Sequence, residues 1–178
     1  MMAKKYQLDP KFEQTVPDGD DRNRSVCTAC GFINYQNPKI VVGSVATWRE
    51  KILLCKRAIE PRKGYWTLPA GYLELGESAE DGAVREAWEE ARARLRIERL
   101  LAVYSVPRIS QVQLMYRAEL NSAEISPGLE SMEVMLASWD EIPWADIAFP
   151  TVGWALRHYR EVLGKTKFPP FSNPIEGL

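Results

Sequence analysis

Hydrophobic and polar positions take on a regular pattern only from about residue 40 onward. Residues 40–48 and 52–57 are β-branched or apolar runs separated by the charged Arg49-Glu50-Lys51, which predicts a β-hairpin. A third apolar stretch, Tyr65 to Ala70, ends at Gly71. Residues 78–93 hold no proline, and Ser78 stands as an N-cap with Asp81 three positions on, so a helix is predicted there. Residues 98–106 and 111–120 predict strands, with alternation strongest at Val112, Leu114 and Tyr116, and residues 132–138 predict another. Trp139 to Pro143 predicts a turn into a short helix. Thr151 to Leu163 predicts a closing amphipathic helix, capped by Thr151 and stopped by Gly164. The proline-rich tail from Phe168 is expected to wrap the surface. Residues 1–25, with turn formers such as Pro17-Asp18-Gly19-Asp20, are expected to be extended or loosely ordered. Strands on both sides of one central helix, with a second helix near the end, predict an α/β fold built on a mixed sheet.

Composition narrows the function classes. A chain of 178 residues with 46% hydrophobic side chains can bury a core without disulfides. Basic and acidic residues nearly balance, 23 against 24, so DNA or RNA binding has no electrostatic support. No apolar run approaches a membrane span, and Met1-Met2-Ala3-Lys4-Lys5 lacks the apolar core of a signal peptide. Three cysteines, Cys27, Cys30 and Cys55, do not make a secreted disulfide framework, so a reducing cytoplasm is expected. The local distribution is less even. Glutamates crowd residues 74–90 and arginines crowd residues 92–99.

On a helix each residue turns the side chain by about 100°, so Glu86, Glu89 and Glu90 share one face. Val84, Ala87, Trp88 and Ala91 fall roughly opposite and are the expected buried face. Like charges one turn apart destabilise a helix by a few tenths of a kcal/mol per pair. A hard divalent cation would offset that cost, because it takes carboxylate oxygens as ligands. Glutamate-rich helices are often merely solvated, and it is the frame around this one that sets it apart.

From Gly71 to Ala93 the segment reads GYLELGESAEDGAVREAWEEARA. This resembles the Nudix hydrolase box, a glycine, a glutamate and an R-E-x-x-E-E run at fixed spacing, matched here by Gly71, Glu77, Arg85, Glu86, Glu89 and Glu90. The resemblance implies a Nudix α/β/α sandwich that cleaves the pyrophosphate bond of a nucleoside diphosphate derivative. It implies magnesium, or manganese in its place, held by Glu86, Glu89, Glu90 and the Gly71 carbonyl. Arg85 would hold a box carboxylate, with Glu77 its expected partner. Such enzymes commonly draw one more carboxylate from a downstream loop, and Glu130 and Glu133 are the candidates. Glu130 is favoured as general base because it precedes the strand. Glu86, Arg85 and Glu130 thus form the expected catalytic set. The box departs from the family at its last glycine, which is Arg92, and at its bulky aliphatic positions, which are Ala87 and Ala93. Arginine favours continuing a helix that glycine would end.

Outside the box, Asp20-Asp21-Arg22, Cys27-Thr28-Ala29-Cys30-Gly31, Tyr35-Gln36-Asn37-Pro38-Lys39 and Gly64 to Tyr72 look like a zinc-ribbon subgroup of Nudix enzymes. Plant relatives in that subgroup act on FAD and ADP-ribose. The NADH pyrophosphatases carry a Ser-Gln-Pro-Trp-Pro-Phe-Pro signature where this chain has Ser105-Val106-Pro107-Arg108-Ile109-Ser110, which disfavours that reading. A structural zinc wants four ligands, and Cys27 and Cys30 have no upstream pair before Val26, so bound zinc is not expected. His158 is expected at the surface or a helix end, and Cys55 in the core. For the substrate, Arg57 is the expected phosphate contact, and Tyr65 and Tyr72 are the expected aromatic contacts among Tyr35, Tyr65, Trp66, Tyr72 and Tyr104. The expected organisation is an N-terminal extension with a ribbon remnant (1–38), the Nudix domain (39–165) and a tail (166–178). Family analogy adds a homodimer. A non-catalytic nucleotide sensor, supported by Arg92, and a nucleoside triphosphate sanitiser are the competing functions.

Overall fold

The computed structural model describes residues 11–175, which form two compact units, one up to Asn37 and one from Pro38. The first unit holds three short strands, β1 (Phe12–Thr15), β2 (Arg24–Cys27) and β3 (Ile33–Asn34), paired antiparallel in that order. Of the expectation of extended or loosely ordered chain to residue 25, the extended form is found from Lys11 onward, paired into strands; residues 1–10 lie outside the described residues. Strands of two to four residues carry too little alternation to be read from sequence. They are held by pairing and by an ion pair, Arg24 Nε donating to Asp20 Oδ2 at 2.8 Å.

The second unit is a mixed sheet between two helices. Its strands are β4 (Lys39–Trp48), β5 (Lys51–Arg57), β6 (Trp66–Thr67) and β7 (Ala70–Tyr72), then β8 (Leu95–Val106), β9 (Gln111–Leu120) and β10 (Ser131–Ala137). The main order is β10-β5-β4-β9-β8, with β4 parallel to β9 and the other neighbours antiparallel. The β4–β5 hairpin pairs only near its turn, at Thr47↔Ile52 and Trp48↔Lys51. Beyond that it splays: β7 takes the first half of β4, and β6 takes the second half of β5. The split brings Gly71 beside Val42, in the middle of the sheet face.

Helix α1 (Ala79–Ala91) covers one face and α2 (Pro150–Glu161) the other. Ala87 and Ala91 pack with Ala46, Leu53 and Leu120. Leu156 and Tyr159 of α2 pack with Val45, Leu54, Leu101 and Met115. Ala83, Ala87 and Ala91 are fully buried, so three small side chains in a row let α1 lie close against the sheet. That accounts for alanine at the box's bulky aliphatic position 87.

One helix-end expectation holds and two are revised. Ser78 does cap α1, accepting from the Asp81 N–H at 3.1 Å. At the other end Arg92 stops the helix rather than extending it. It adopts the left-handed conformation (φ 51°) that glycine usually supplies, its N–H returning to the Ala87 and Trp88 carbonyls. That conformation costs a residue with a Cβ on the order of 1–2 kcal/mol. Arg92→Gly is accordingly expected to raise stability by about 0.5–1 kcal/mol, after the extra unfolded-state freedom of glycine is counted. Chemical denaturation checks this, and a loss of stability would contradict it. In α2, Pro150 occupies the first turn and Phe149 is the N-cap, so Thr151 lies inside the helix and the cap assigned to it is wrong. The helix ends at Glu161 with Gly164 (φ 77°) in the turn beyond.

The tail lies along the free edge of β8. Phe171 N–H donates to the Leu101 carbonyl and its own carbonyl accepts from Val103 N–H, both at 2.9 Å, and Asn173 brackets Ser105. His158 lies in the last turn of α2, at a helix end as expected, and is half-buried: its ring stacks on Phe171 with centroids 4.2 Å apart, and Nδ1 lies 2.7 Å from the Tyr104 hydroxyl. Cys55 is fully buried. Among the described residues no helix is long and apolar enough to cross a membrane.

Candidate active site

Ala87 and Ala91 are buried as expected, but the rest of the buried face of α1 differs. Glu86 and Glu90 are 8% and 6% exposed, whereas Trp88 is 42% exposed. Two box glutamates therefore lie at the helix–sheet interface and Glu89 lies at its rim. The close approach of α1 puts the Glu86 carboxylate directly on Gly71: a Cβ built on that glycine would meet Glu86 Oε1 at 2.3 Å and Oε2 at 2.5 Å. A side chain there would require the Glu86 carboxylate to move from its present position. Glu90 Oε1 faces the Ala70 N–H at 3.4 Å.

Arg85 organises the rim. Its Nε and Nη2 grip Glu77 at 3.0 and 2.8 Å, and Nη2 also donates to the Tyr72 carbonyl at 2.9 Å. Its Nη1 donates to Glu86 at 2.7 Å and to Glu89 at 2.9 Å. Glu77 in turn accepts the Glu74 N–H at 2.7 Å, and the Arg85 bonds bring its carboxyl down to about 2. The two-pronged Arg85–Glu77 contact fixes the guanidinium plane, and the remaining nitrogen steers two box carboxylates.

Burial pushes Glu90 up to about 8, with the Glu86 charge adding to the effect and Arg57 opposing it. Burial raises Glu86 too, against the pull of Arg85. The Glu130 charge acts on both. It arrives on the loop from Ser126, which sits on the end of α1 through Ser126 N–H to the Ala91 carbonyl and Gly128 N–H to the Glu90 carbonyl, each 2.9 Å. A Cβ at Gly128 would meet the Glu89 carbonyl at 1.7 Å, so this close seating depends on glycine, a role its place in a Pro-Gly turn did not reveal. Glu133 instead points to Lys56 Nζ at 3.4 Å.

The substrate candidates are more scattered. Arg57 lies within electrostatic reach of Glu90, with its Nε donating to the Pro61 carbonyl at 2.8 Å and its guanidinium over Phe149. Tyr65 is half-buried beneath Arg62. Tyr72 is exposed and pairs with Val41, the next pair along from Gly71–Val42, so its side chain lies on the opposite sheet face from the carboxylates. There its hydroxyl accepts from Gln111 at 3.3 Å, under Lys39.

Comparison with known proteins places this arrangement. The NUDIX domain family matches residues 37–160, and the zinc-ribbon family described as Nudix N-terminal matches residues 10–36. The chain belongs to the Nudix hydrolase family. A Nudix hydrolase from Nitrosomonas europaea has a solved structure that superposes with a TM-score of 0.87 at 45% identity, over 96% of this chain and 98% of that one. An ADP-ribose pyrophosphatase from Methanocaldococcus jannaschii is 31% identical over 113 residues, 61% of this chain and 67% of that protein. An NAD-capped RNA hydrolase, NudC, from Salmonella heidelberg is 30% identical over 102 residues, 56% of this chain but only 39% of that protein.

Nudix hydrolases generally use divalent metals. Among the described residues no three acidic, histidine or cysteine side chains stand as a ready ligand set, and Arg85 Nη1 donates to both Glu86 and Glu89. The donor chemistry nonetheless fits magnesium: hard carboxylate oxygens only, two of them buried with their charged forms disfavoured by burial. This carries a pH signature. The Glu90 carboxyl is raised from 4.5 to about 8 in the fold, so its protonated form contributes stability that is complete below about pH 4.5 and lost as pH rises through about 8. A cation must displace that proton. The magnesium-induced rise in melting temperature is therefore expected to grow between about pH 6 and about pH 8.5, and an equal rise at both would contradict the assignment.

Proposed function

We propose that this chain hydrolyses the pyrophosphate bond of a nucleoside diphosphate derivative, with ADP-ribose and FAD the leading candidates, releasing AMP and a second phosphate ester. The observation that carries the reading is the seating of Glu86 on Gly71, with Glu89 and Glu90 one turn along and Arg85 bridging to Glu77. The chemistry of the M. jannaschii relative's name points the same way. Glu86, Glu89, Glu90 and the Gly71 carbonyl would hold magnesium. When bound, that ion neutralises charge gathering on the phosphate oxygens and polarises water.

The remaining roles belong to the protein. Arg85 holds Glu77 fixed and keeps the Glu86 and Glu89 carboxylates aimed at one place. Glu130, brought onto the end of α1 by its loop, accepts the proton from the attacking water as the phosphorus–oxygen bond to the leaving phosphate breaks. Arg57 supplies positive charge beside Glu90 for the phosphates, and Tyr65 offers aromatic surface to the nucleoside, whereas Tyr72, on the other face of the sheet, is withdrawn from the expected contacts. A homodimer in the cytoplasm completes the reading by family analogy, and light scattering tests the dimer.

Initial rates with magnesium on ADP-ribose, FAD, NADH, nucleoside triphosphates and an NAD-capped RNA test the substrate class. The expected result is a kcat/KM for ADP-ribose or FAD at least about tenfold above the triphosphates, a difference of about 1.4 kcal/mol in transition-state binding. Preference for a triphosphate would overturn the substrate class, and turnover of none of them would overturn the enzyme reading.

A further inference from the structure

The turn between β2 and β3 carries Cys27 and Cys30. Gly31 N–H donates to the Cys27 carbonyl and Cys27 N–H donates to the Phe32 carbonyl, both at 2.8 Å, which closes the turn. Cys27 is 4% exposed and Cys30 is exposed, with both thiols free. The backbone of the turn and the neighbouring Cys30 thiol hold the Cys27 thiol below the ordinary thiol range.

A zinc ribbon implies four ligands, and these residues do not fit one. The sequence holds one further cysteine, Cys55, fully buried in the core of the second unit, and one histidine, His158, engaged by Tyr104 and Phe171. The three-stranded sheet has other ties. Asp20 accepts both Arg24 nitrogens and the N–H groups of Asp21 and Arg22, and the Arg24 guanidinium lies 5.2 Å over the Tyr35 ring. The Lys11 carbonyl accepts both the N–H and the hydroxyl of Thr28, at 3.0 and 3.2 Å.

We infer that Cys27 and Cys30 are a redox-active dithiol, closing to an intrachain disulfide by exchange with a small-molecule disulfide of the glutathione class. The exposed Cys30 thiolate attacks that disulfide, forming a mixed disulfide and expelling one thiolate, which takes up a proton. The Cys27 sulfur, three residues away in the closed turn, then attacks Cys30 Sγ and expels the second thiolate. Two protein thiols are oxidised by two electrons, and the external disulfide is reduced to two thiols. The site is independent of hydrolysis.

The full chain, purified without chelator and supplied with zinc, is equilibrated across ratios of oxidised to reduced glutathione, quenched with an alkylating reagent and weighed. The expected result is zinc below about 0.1 per chain, and Cys27 and Cys30 losing alkylation together and regaining it on reduction. Buried Cys55 should be untouched throughout. In Cys27→Ser a glutathione adduct should persist on Cys30, while hydrolysis stays at the wild-type rate. Zinc near one or one half per chain, lost in Cys27→Ser, would overturn the inference. So would separate adducts on both cysteines, or thiols that stay alkylatable at every ratio.

Discussion

Glu89→Gln is expected to lower kcat by about 100-fold or more while changing folding stability by less than about 0.5 kcal/mol. The two effects separate because Glu89 lies at the rim. Its side chain is 54% exposed and its contact with Arg85 is an exposed i,i+4 pair, worth a few tenths of a kcal/mol. Glutamine keeps the shape and one oxygen but removes the charge that a divalent cation requires. Rates measured over a magnesium titration, alongside a denaturation curve, give both quantities. Wild-type turnover in this variant would remove Glu89 from the ligand set.

Gly71→Ala is expected to be as damaging to activity, and to cost about 1–3 kcal/mol of stability as well. The added methyl would stand 2.3 Å from Glu86 Oε1. Glu86 cannot retreat freely, because it is 8% exposed and its other contact is Arg85 at 2.7 Å. Either the carboxylate swings out of line or β7 shifts from Val42, and both spoil the site. An active, equally stable Gly71→Ala protein would mean that the contact between this glycine and Glu86 is dispensable.

Much of this was legible in the chain, for identifiable reasons. Ser78 with Asp81 marks the start of α1 because capping is a local interaction, decided within four residues. The end of α1 was not legible. Arg92 takes a backbone conformation that its side chain disfavours, and a propensity argument assigns it to the helix. The buried face was misread for a related reason. Periodicity counts glutamate as outward and tryptophan as inward, but here the carboxylates are held inside and Trp88 stands outside between Arg92 and Arg94. A site that buries charge is where pattern rules are expected to fail. That the Glu130 loop is seated on the end of α1 was not legible either, because the seating depends on Gly128 and a long-range bond from Ala58 N–H to the Glu130 carbonyl at 2.7 Å. The strands before residue 37 escaped notice because their partners, such as Phe12 and Cys27, are far apart in sequence.

The most direct test of the central claim is anomalous diffraction from crystals soaked with manganese and a non-hydrolysable ADP-ribose analogue. The predicted map has metal peaks bonded to oxygens of Glu86, Glu89 and Glu90, with Arg85 released from Glu89 yet still gripping Glu77. Metal elsewhere, with Glu86 and Glu89 still paired to Arg85 Nη1 and Glu90 left facing Ala70, would contradict it.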